Sequence, residues 1–210
     1  MKKTVRVEIE RFVREYRDSH GTVTPWEIPL VGFASASDPL FQKLKAAVSP
    51  THAVPQDLLA GAATVVAFFL PFTRELTRTN EQGREASEEW ARAYLETNEL
   101  IRSLSLHVKA FLETRDEKAC LIPATHNFDP RKLMSDWSHR HVAFIAGLGR
   151  FGLNNMLITD RGCCGRIGSL VTTALIEPDP PFGGEACLYR HNGTCRRCVE
   201  RCVNGALSSD

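Results

Sequence analysis

Four of the seven cysteines in this 210-residue chain, Cys187, Cys195, Cys198 and Cys202, crowd toward its C-terminal end. Cys195-Arg-Arg-Cys198-Val-Glu-Arg-Cys202 reads C-x2-C-x3-C, the second half of the bacterial ferredoxin run, with the first cysteine displaced upstream to Cys187. A cubane cluster needs several thiolates converging on one small, convex object. A two-residue loop lets both flanking cysteines point inward while backbone N–H groups face the sulfurs. The expected cargo is one 4Fe-4S cluster on these four thiolates, with Arg190, Arg196, Arg197 and Arg201 offsetting its negative charge. Zinc is the competitor, because it also accepts four cysteines and can recruit His191. Zinc ribbons, however, carry two C-x2-C knuckles, and this tail has one. The last cysteine of such a run serves a different cluster in two-cluster ferredoxins, so Cys163, Cys164 and Cys120 stay open as substitute ligands.

A second pattern, Gly147-Leu-Gly149-Arg-Phe-Gly152, matches G-x-G-x-x-G and follows the apolar His141–Ala146. Its context departs from a dinucleotide site. Asn154 to Thr159 reads as a strand rather than a phosphate-binding helix, and Asp160 is too near to be the ribose-binding acid. The glycines imply close backbone approach, either to a neighbouring element or to a flat ligand.

The elements that must position these residues follow from periodicity. Ile9, Phe12, Val13 and Tyr16 define an amphipathic helix ending near Gly21. Residues 22–37 read as irregular, anchored by Trp26, and Asp38 caps a short helix through Ala47. Thr64 to Leu70 is a continuous apolar run closed by Pro71, expected as a central strand buried on both faces. Trp90, Tyr94, Ile101, Leu104, Val108 and Phe111 mark the longest helix, covering the sheet. A strand at Lys118–Ile122, a helix from Pro130 toward Ala146, and strands at Met156–Thr159 and Ile167–Ile176 complete the body. Pro178, Pro180, Pro181, Gly183 and Gly184 form a linker. The expected architecture is α+β: a mixed sheet flanked by helices over residues 1–179, then a small ferredoxin-like iron–sulfur segment over 180–210.

Composition narrows the function classes. With 43% hydrophobic and 24% charged residues the chain can bury a core, which excludes disorder and collagen-like order. A net charge of +1 supplies no global field for nucleic acid or anionic membrane. The N-terminus lacks a secretory apolar region, and the apolar stretch Ala60–Phe72 falls short of the roughly 18–20 residues that span a bilayer. A cytoplasmic protein without membrane contact is expected, its thiols kept reduced for metal or redox work.

Trp137-Ser-His139-Arg-His141 through Gly147-Leu-Gly-Arg-Phe-Gly-Leu-Asn-Asn-Met-Leu-Ile-Thr159, with Gly165-Arg-Ile-Gly-Ser-Leu170 and a cysteine tail ending in Gly205-Ala-Leu207, resembles the epoxyqueuosine reductase family and its iron–sulfur relatives. The resemblance implies a body shared with corrinoid-dependent reductases, in which a cobalamin lies over the sheet and the cluster feeds electrons to cobalt. It places Gly147, Gly149, Phe151, Gly152, Asn154 and Asn155 of the loop, and Arg166, Gly168 and Ser169 after it, against the corrinoid. Asp136 is the candidate proton donor, with His139 and His141 as alternatives. Three features depart from the family pattern. Members usually carry two cysteine runs, whereas this chain extends eight residues past Cys202, so one cluster is expected. Cys202-Val203 replaces the usual Cys-Pro, and Trp-Ser-His-Arg-His occupies the segment upstream of the glycine loop. The implied activity is an oxidoreductase acting on a small-molecule substrate or served by an electron-donor protein, with tRNA left open as a partner. A non-enzymatic electron carrier and a zinc-stabilised binding module are the alternatives.

Overall fold

The computed structural model describes residues 1–208. Its first half runs α1 (Lys2–His20), β1 (Leu30–Ser35), α2 (Leu40–Ala47), α3 (Pro55–Leu58), β2 (Thr64–Pro71), α4 (Arg74–Thr79) and α5 (Glu88–Glu113). Then follow β3 (Ala119–Leu121), α6 (His139–Ile145), β4 (Arg150–Phe151), β5 (Leu157–Ile158), β6 (Gly165–Thr172), α7 (Leu188–Asn192) and α8 (Arg197–Glu200).

β2 is buried along its whole length, as its unbroken apolar run requires. Successive side chains alternate between two cores. Val66, Phe68 and Leu70 pack with α1 and α5, while Val65, Ala67 and Phe69 pack with α2 and α6. The sheet order is β1-β2-β6-β3, and every neighbouring pair is antiparallel. The expected mixed sheet is therefore corrected to a wholly antiparallel one. A continuous apolar strand reports two covered faces, not the direction of its neighbours, and helices cover both faces here.

α1 buries Val5, Ile9, Val13 and Tyr16, and Gly21 ends it with a left-handed backbone (φ 63°). α5 opens with the Ser87 hydroxyl accepting from the Trp90 N–H at 3.1 Å and buries Leu100, Leu104, Val108 and Leu112. Tyr94, expected on that apolar stripe, is instead 48% exposed and lies under the Arg166 guanidinium, 4.2 Å from its ring centroid.

Two local expectations are overturned. Residues 30–35, read as irregular, form β1, disguised by Gly32. A Cβ there would come within 2.4 Å of the Ala146 carbonyl oxygen, so the glycine marks the close approach of the α6 C-terminus to the strand. The helix expected from Pro130 begins only at His139. The preceding segment is turn and loop, with an isolated bridge between Asp129 and Met134.

The proline-glycine stretch after β6 is held as a strap along β1. Asp179 N–H donates to the Phe33 carbonyl at 2.8 Å, and its carboxylate accepts from the Phe33 N–H at 3.1 Å. Lys2 and Arg6 of α1 pair with the same carboxylate at 2.7 and 3.2 Å.

Candidate functional site

The N-terminal ends of β6 and α6 border a cavity of about 420 Å³, lined also by the loop preceding α6. Arg166, His139, Ser138, Trp137, Met156 and Cys163 are among its walls. Trp137 is the fixed point of that loop. Its side chain is 1% exposed and stacks against Phe41 and His52, at centroid distances of 6.2 and 5.7 Å.

A hydrogen-bond chain settles the protonation of His139. Trp137 Nε1–H donates to Ser169 Oγ at 3.0 Å, leaving the serine hydroxyl to donate to His139 Nδ1 at 2.8 Å. The opposite nitrogen faces the Pro123 carbonyl at 3.1 Å, which can only accept, so Nε2 carries the proton. Burial lowers the His139 pKa to about 4, which keeps the ring neutral at physiological pH. His141 is also lowered to about 4, by burial and then by Arg140. It lies outside the cavity lining, with Nδ1 2.7 Å from Ser138 Oγ and its ring against Phe151. Asp136 lies outside the lining too, although Ser135 and Trp137 on either side of it belong there. Its carboxylate accepts from the Thr51 hydroxyl at 2.5 Å.

His52 supports this arrangement and was not legible in the sequence. Fully buried, it donates from Nδ1 to the Ala53 carbonyl at 2.7 Å and accepts the Ser138 N–H on Nε2 at 3.0 Å. Burial lowers its pKa as well, so it holds the start of α6 as a neutral ring.

The residues expected against a flat cofactor are distributed rather than gathered. Arg166 lines the cavity, and its Nε is buried without a hydrogen-bond partner. Ser169 points to the opposite face of β6 from the Arg166 guanidinium and is fully engaged by Trp137 and His139. Gly168, one residue away, points to the opposite face, where a Cβ would meet the Phe68 ring at 2.5 Å. The loop glycines each accommodate the chain's own atoms. A Cβ on Gly147 (φ 75°) would lie 2.2 Å from the Pro180 carbonyl oxygen, one on Gly149 2.3 Å from that of Ile158, and one on Gly152 2.7 Å from Ile158 Cδ1. Asn154 caps its own turn by accepting the Met156 N–H at 3.1 Å, and the Asn155 carbonyl accepts from Arg140 at 2.5 Å. Phe151 packs on His141 and Phe144.

In the tail, Cys187 is buried just before α7, Cys198 lies on α8, and Cys195, Cys198 and Cys202 are partly exposed. Burial pushes the Cys187 thiol up, but N–H groups of Arg190, Leu153 and Tyr189 reach the sulfur and bring it below the ordinary thiol value. Leu153 belongs to the glycine loop, so the tail and that loop touch at this sulfur. Cys202 is lowered by the N–H groups of Ala206 and Asn204, the former at 3.2 Å. Such N–H groups stabilise thiolates, the form that ligates a metal. Among the described residues, no three Cys, His, Asp or Glu side chains are gathered closely enough to hold a metal ion. No described helix is long and apolar enough to cross a membrane.

The fold is similar to those of solved epoxyqueuosine reductases and a reductive dehalogenase. An epoxyqueuosine reductase solved with an epoxyqueuosine-modified tRNA-Tyr stem loop superimposes with a TM-score of 0.57 at 21% identity, over 96% of this chain and 53% of that one. A catabolic reductive dehalogenase gives 0.59 at 16% identity, over 85% and 23%. By sequence the chain is a distant homologue of epoxyqueuosine reductase over most of its length: 27% identical to that of Bacillus anthracis over 203 residues, covering 86% of this chain and 49% of that protein. The chain spans about half the length of the curated relatives it matches. No family model matches it.

Proposed function

We propose that the chain is an iron–sulfur oxidoreductase or electron-transfer protein that works with a corrinoid bound at the cavity between β6 and α6. The observation that carries the reading is Arg166, a residue of the cavity lining whose Nε is buried without a hydrogen-bond partner. Burying such a group unpaired costs roughly 1–3 kcal/mol, so it suits a site that is completed by a ligand's acceptor oxygen. A cavity of about 420 Å³ admits one face of a macrocycle with its amide side chains, and Arg166 would meet one of those amides. When bound, the corrin supplies cobalt redox chemistry and the cluster passes it single electrons.

The donor set in the tail fits a cluster in its chemistry. Cys187 and Cys202 carry thiols lowered by backbone N–H groups, and Cys195 and Cys198 supply the C-x2-C pair between them. These four would hold one 4Fe-4S cluster, drawn together on binding it. The three proposed proton carriers differ in readiness. His139 and His141 are held neutral, and the single proton on His139 is already donated to the Pro123 carbonyl. Asp136 sits between two cavity-lining residues, and releasing it from Thr51 would turn its carboxylate inward. The loop from Gly147 to Asn155 would set the position of Arg140 and Met156 at the rim. By analogy with the relative solved on a tRNA stem loop, RNA is a partner to test alongside small electrophiles.

Preparation without oxygen should yield about four iron and four acid-labile sulfide per chain, lost on Cys198→Ala. Zinc alone would overturn the cluster. Titration with cob(II)alamin should perturb its absorption spectrum, and Arg166→Leu should weaken that binding about tenfold. An unchanged spectrum would overturn the corrinoid and leave an electron carrier.

A further inference from the structure

The connection between α4 and α5, residues 80–87, is closed at its base and exposed at its tip. The Ser87 N–H donates to Asn80 Oδ1 at 3.0 Å, and the Ser87 hydroxyl lies 2.8 Å from Thr79 Oγ1. Thr79 gives its own proton to the Leu76 carbonyl at 2.8 Å, so the Ser87 hydroxyl donates to Thr79 while accepting the Trp90 N–H. From this base the loop reaches the cysteine tail. Arg84 Nη2 donates to the Val203 carbonyl at 2.9 Å, across 119 positions of chain.

Val203 belongs to a turn folded round the Cys202 sulfur. The Cys202 carbonyl accepts the Gly205 N–H at 3.1 Å, and Gly205 takes the left-handed backbone (φ 60°) that brings the chain back. The Ala206 N–H then meets Cys202 Sγ at 3.2 Å. Arg84 therefore holds, from the body, the same turn that aims an N–H at a proposed cluster ligand. Among the described residues no carboxylate pairs with Arg84, so its positive charge stands uncancelled beside that turn.

We propose that Arg84 is a positioning residue for the iron–sulfur cluster: by pinning the Val203 carbonyl it keeps the Cys202 turn closed and makes the cluster easier to reduce. The role rests on the cluster reading above. Two effects act in the same direction. An N–H bonded to a ligating sulfur withdraws electron density from it, and a positive charge nearby favours the reduced, more negative state of the cluster. The closed base of the loop leaves its tip less freedom to lose on docking, so one exposed contact can hold the turn.

The test uses the full chain prepared without oxygen, with its iron determined. A redox titration followed by electron paramagnetic resonance should find reduction about threefold less favourable in Arg84→Gln, a fall of about 28 mV for a one-electron couple. In the iron-free chain, hydrogen exchange over residues 202–208 should be about threefold faster in Arg84→Gln than in the parent, a readout that needs no cluster. Arg84→Lys keeps a charge and a donor and should recover most of both shifts. Arg78→Gln removes the same charge from an exposed position on α4 and should leave both at the parent values. Loss of iron from Arg84→Gln alone, together with the faster exchange, also supports the role. A parent chain without iron overturns the cluster and this role together. Iron in parent and variant alike, with either the potential or the exchange unchanged in Arg84→Gln, overturns Arg84 alone, and so does an equal shift in Arg78→Gln.

Discussion

Ser169 on β6 donates a 2.8 Å hydrogen bond to Nδ1 of His139 at the first turn of α6, tying the central sheet to the helix that borders the cavity. The same oxygen accepts from Trp137, so one hydroxyl satisfies two buried rings.

Replacing Ser169 by Ala strands both. Each unpaired buried polar group costs roughly 1–3 kcal/mol, so Ser169→Ala should lower unfolding stability by about 2–4 kcal/mol. Urea denaturation at neutral pH measures it. A loss under half a kcal/mol would show that water replaces the hydroxyl.

Acid should weaken the fold before carboxylates protonate. His139 titrates near 4 in the fold and near 6.5 when unfolded, so between those values the unfolded chain binds the additional proton. Its contribution is complete above about pH 6.5 and is lost as pH falls toward 4, by at most about 1.4 kcal/mol per pH unit. His141, lowered to about 4 as well, adds an effect of the same sign. Urea midpoints across that range should fall with pH, and His139→Gln should flatten the slope.

Gly147→Ala asks two things of the backbone at once: a left-handed conformation at φ 75° and room where the Pro180 carbonyl stands 2.2 Å away. The combined cost should be about 2–4 kcal/mol. Gly183, with nothing within 4 Å of an added Cβ and no such backbone requirement, provides the control, and Gly183→Ala should leave the melting temperature nearly unchanged.

Asp179→Ala removes two ion pairs and the acceptor of the Phe33 N–H together. The strap should loosen before the body does. Limited proteolysis should cut the variant near residues 177–184 at protease levels that leave the parent chain intact. Equal cleavage of the two would mean that the 2.8 Å backbone bond to Phe33 suffices alone.

What the sequence disclosed, and what it concealed, divides by the range of the interactions. α1, β2 and α5 were legible because each writes its burial into its own periodicity, and the C-x2-C-x3-C spacing is likewise local. β1 was hidden because Gly32 answers to Ala146, more than a hundred residues away. Strand direction was hidden for a related reason: β6 enters between β2 and β3 only after a long excursion, and no local pattern records which way it runs. At the site, Arg166 and Ser169 were singled out from sequence. The partners that give them meaning, a Tyr94 beneath one and Trp137 and His139 on the other, come from separate elements. His52 left no trace at all, since a buried histidine bonded to its neighbours reads like any other.

The strap held by Asp179 also bears on how the molecule behaves in a crowd. β1 is an outer strand, and exposed N–H and C=O groups on such a strand are a template for pairing with another molecule. Asp179 occupies both polar groups of Phe33, Arg6 takes the Val31 carbonyl, and Lys2 and Arg6 set positive charge along the same border. A stretch of chain whose composition reads as a flexible connector is thus also a guard against self-association, and loosening it exposes a surface prone to aggregation.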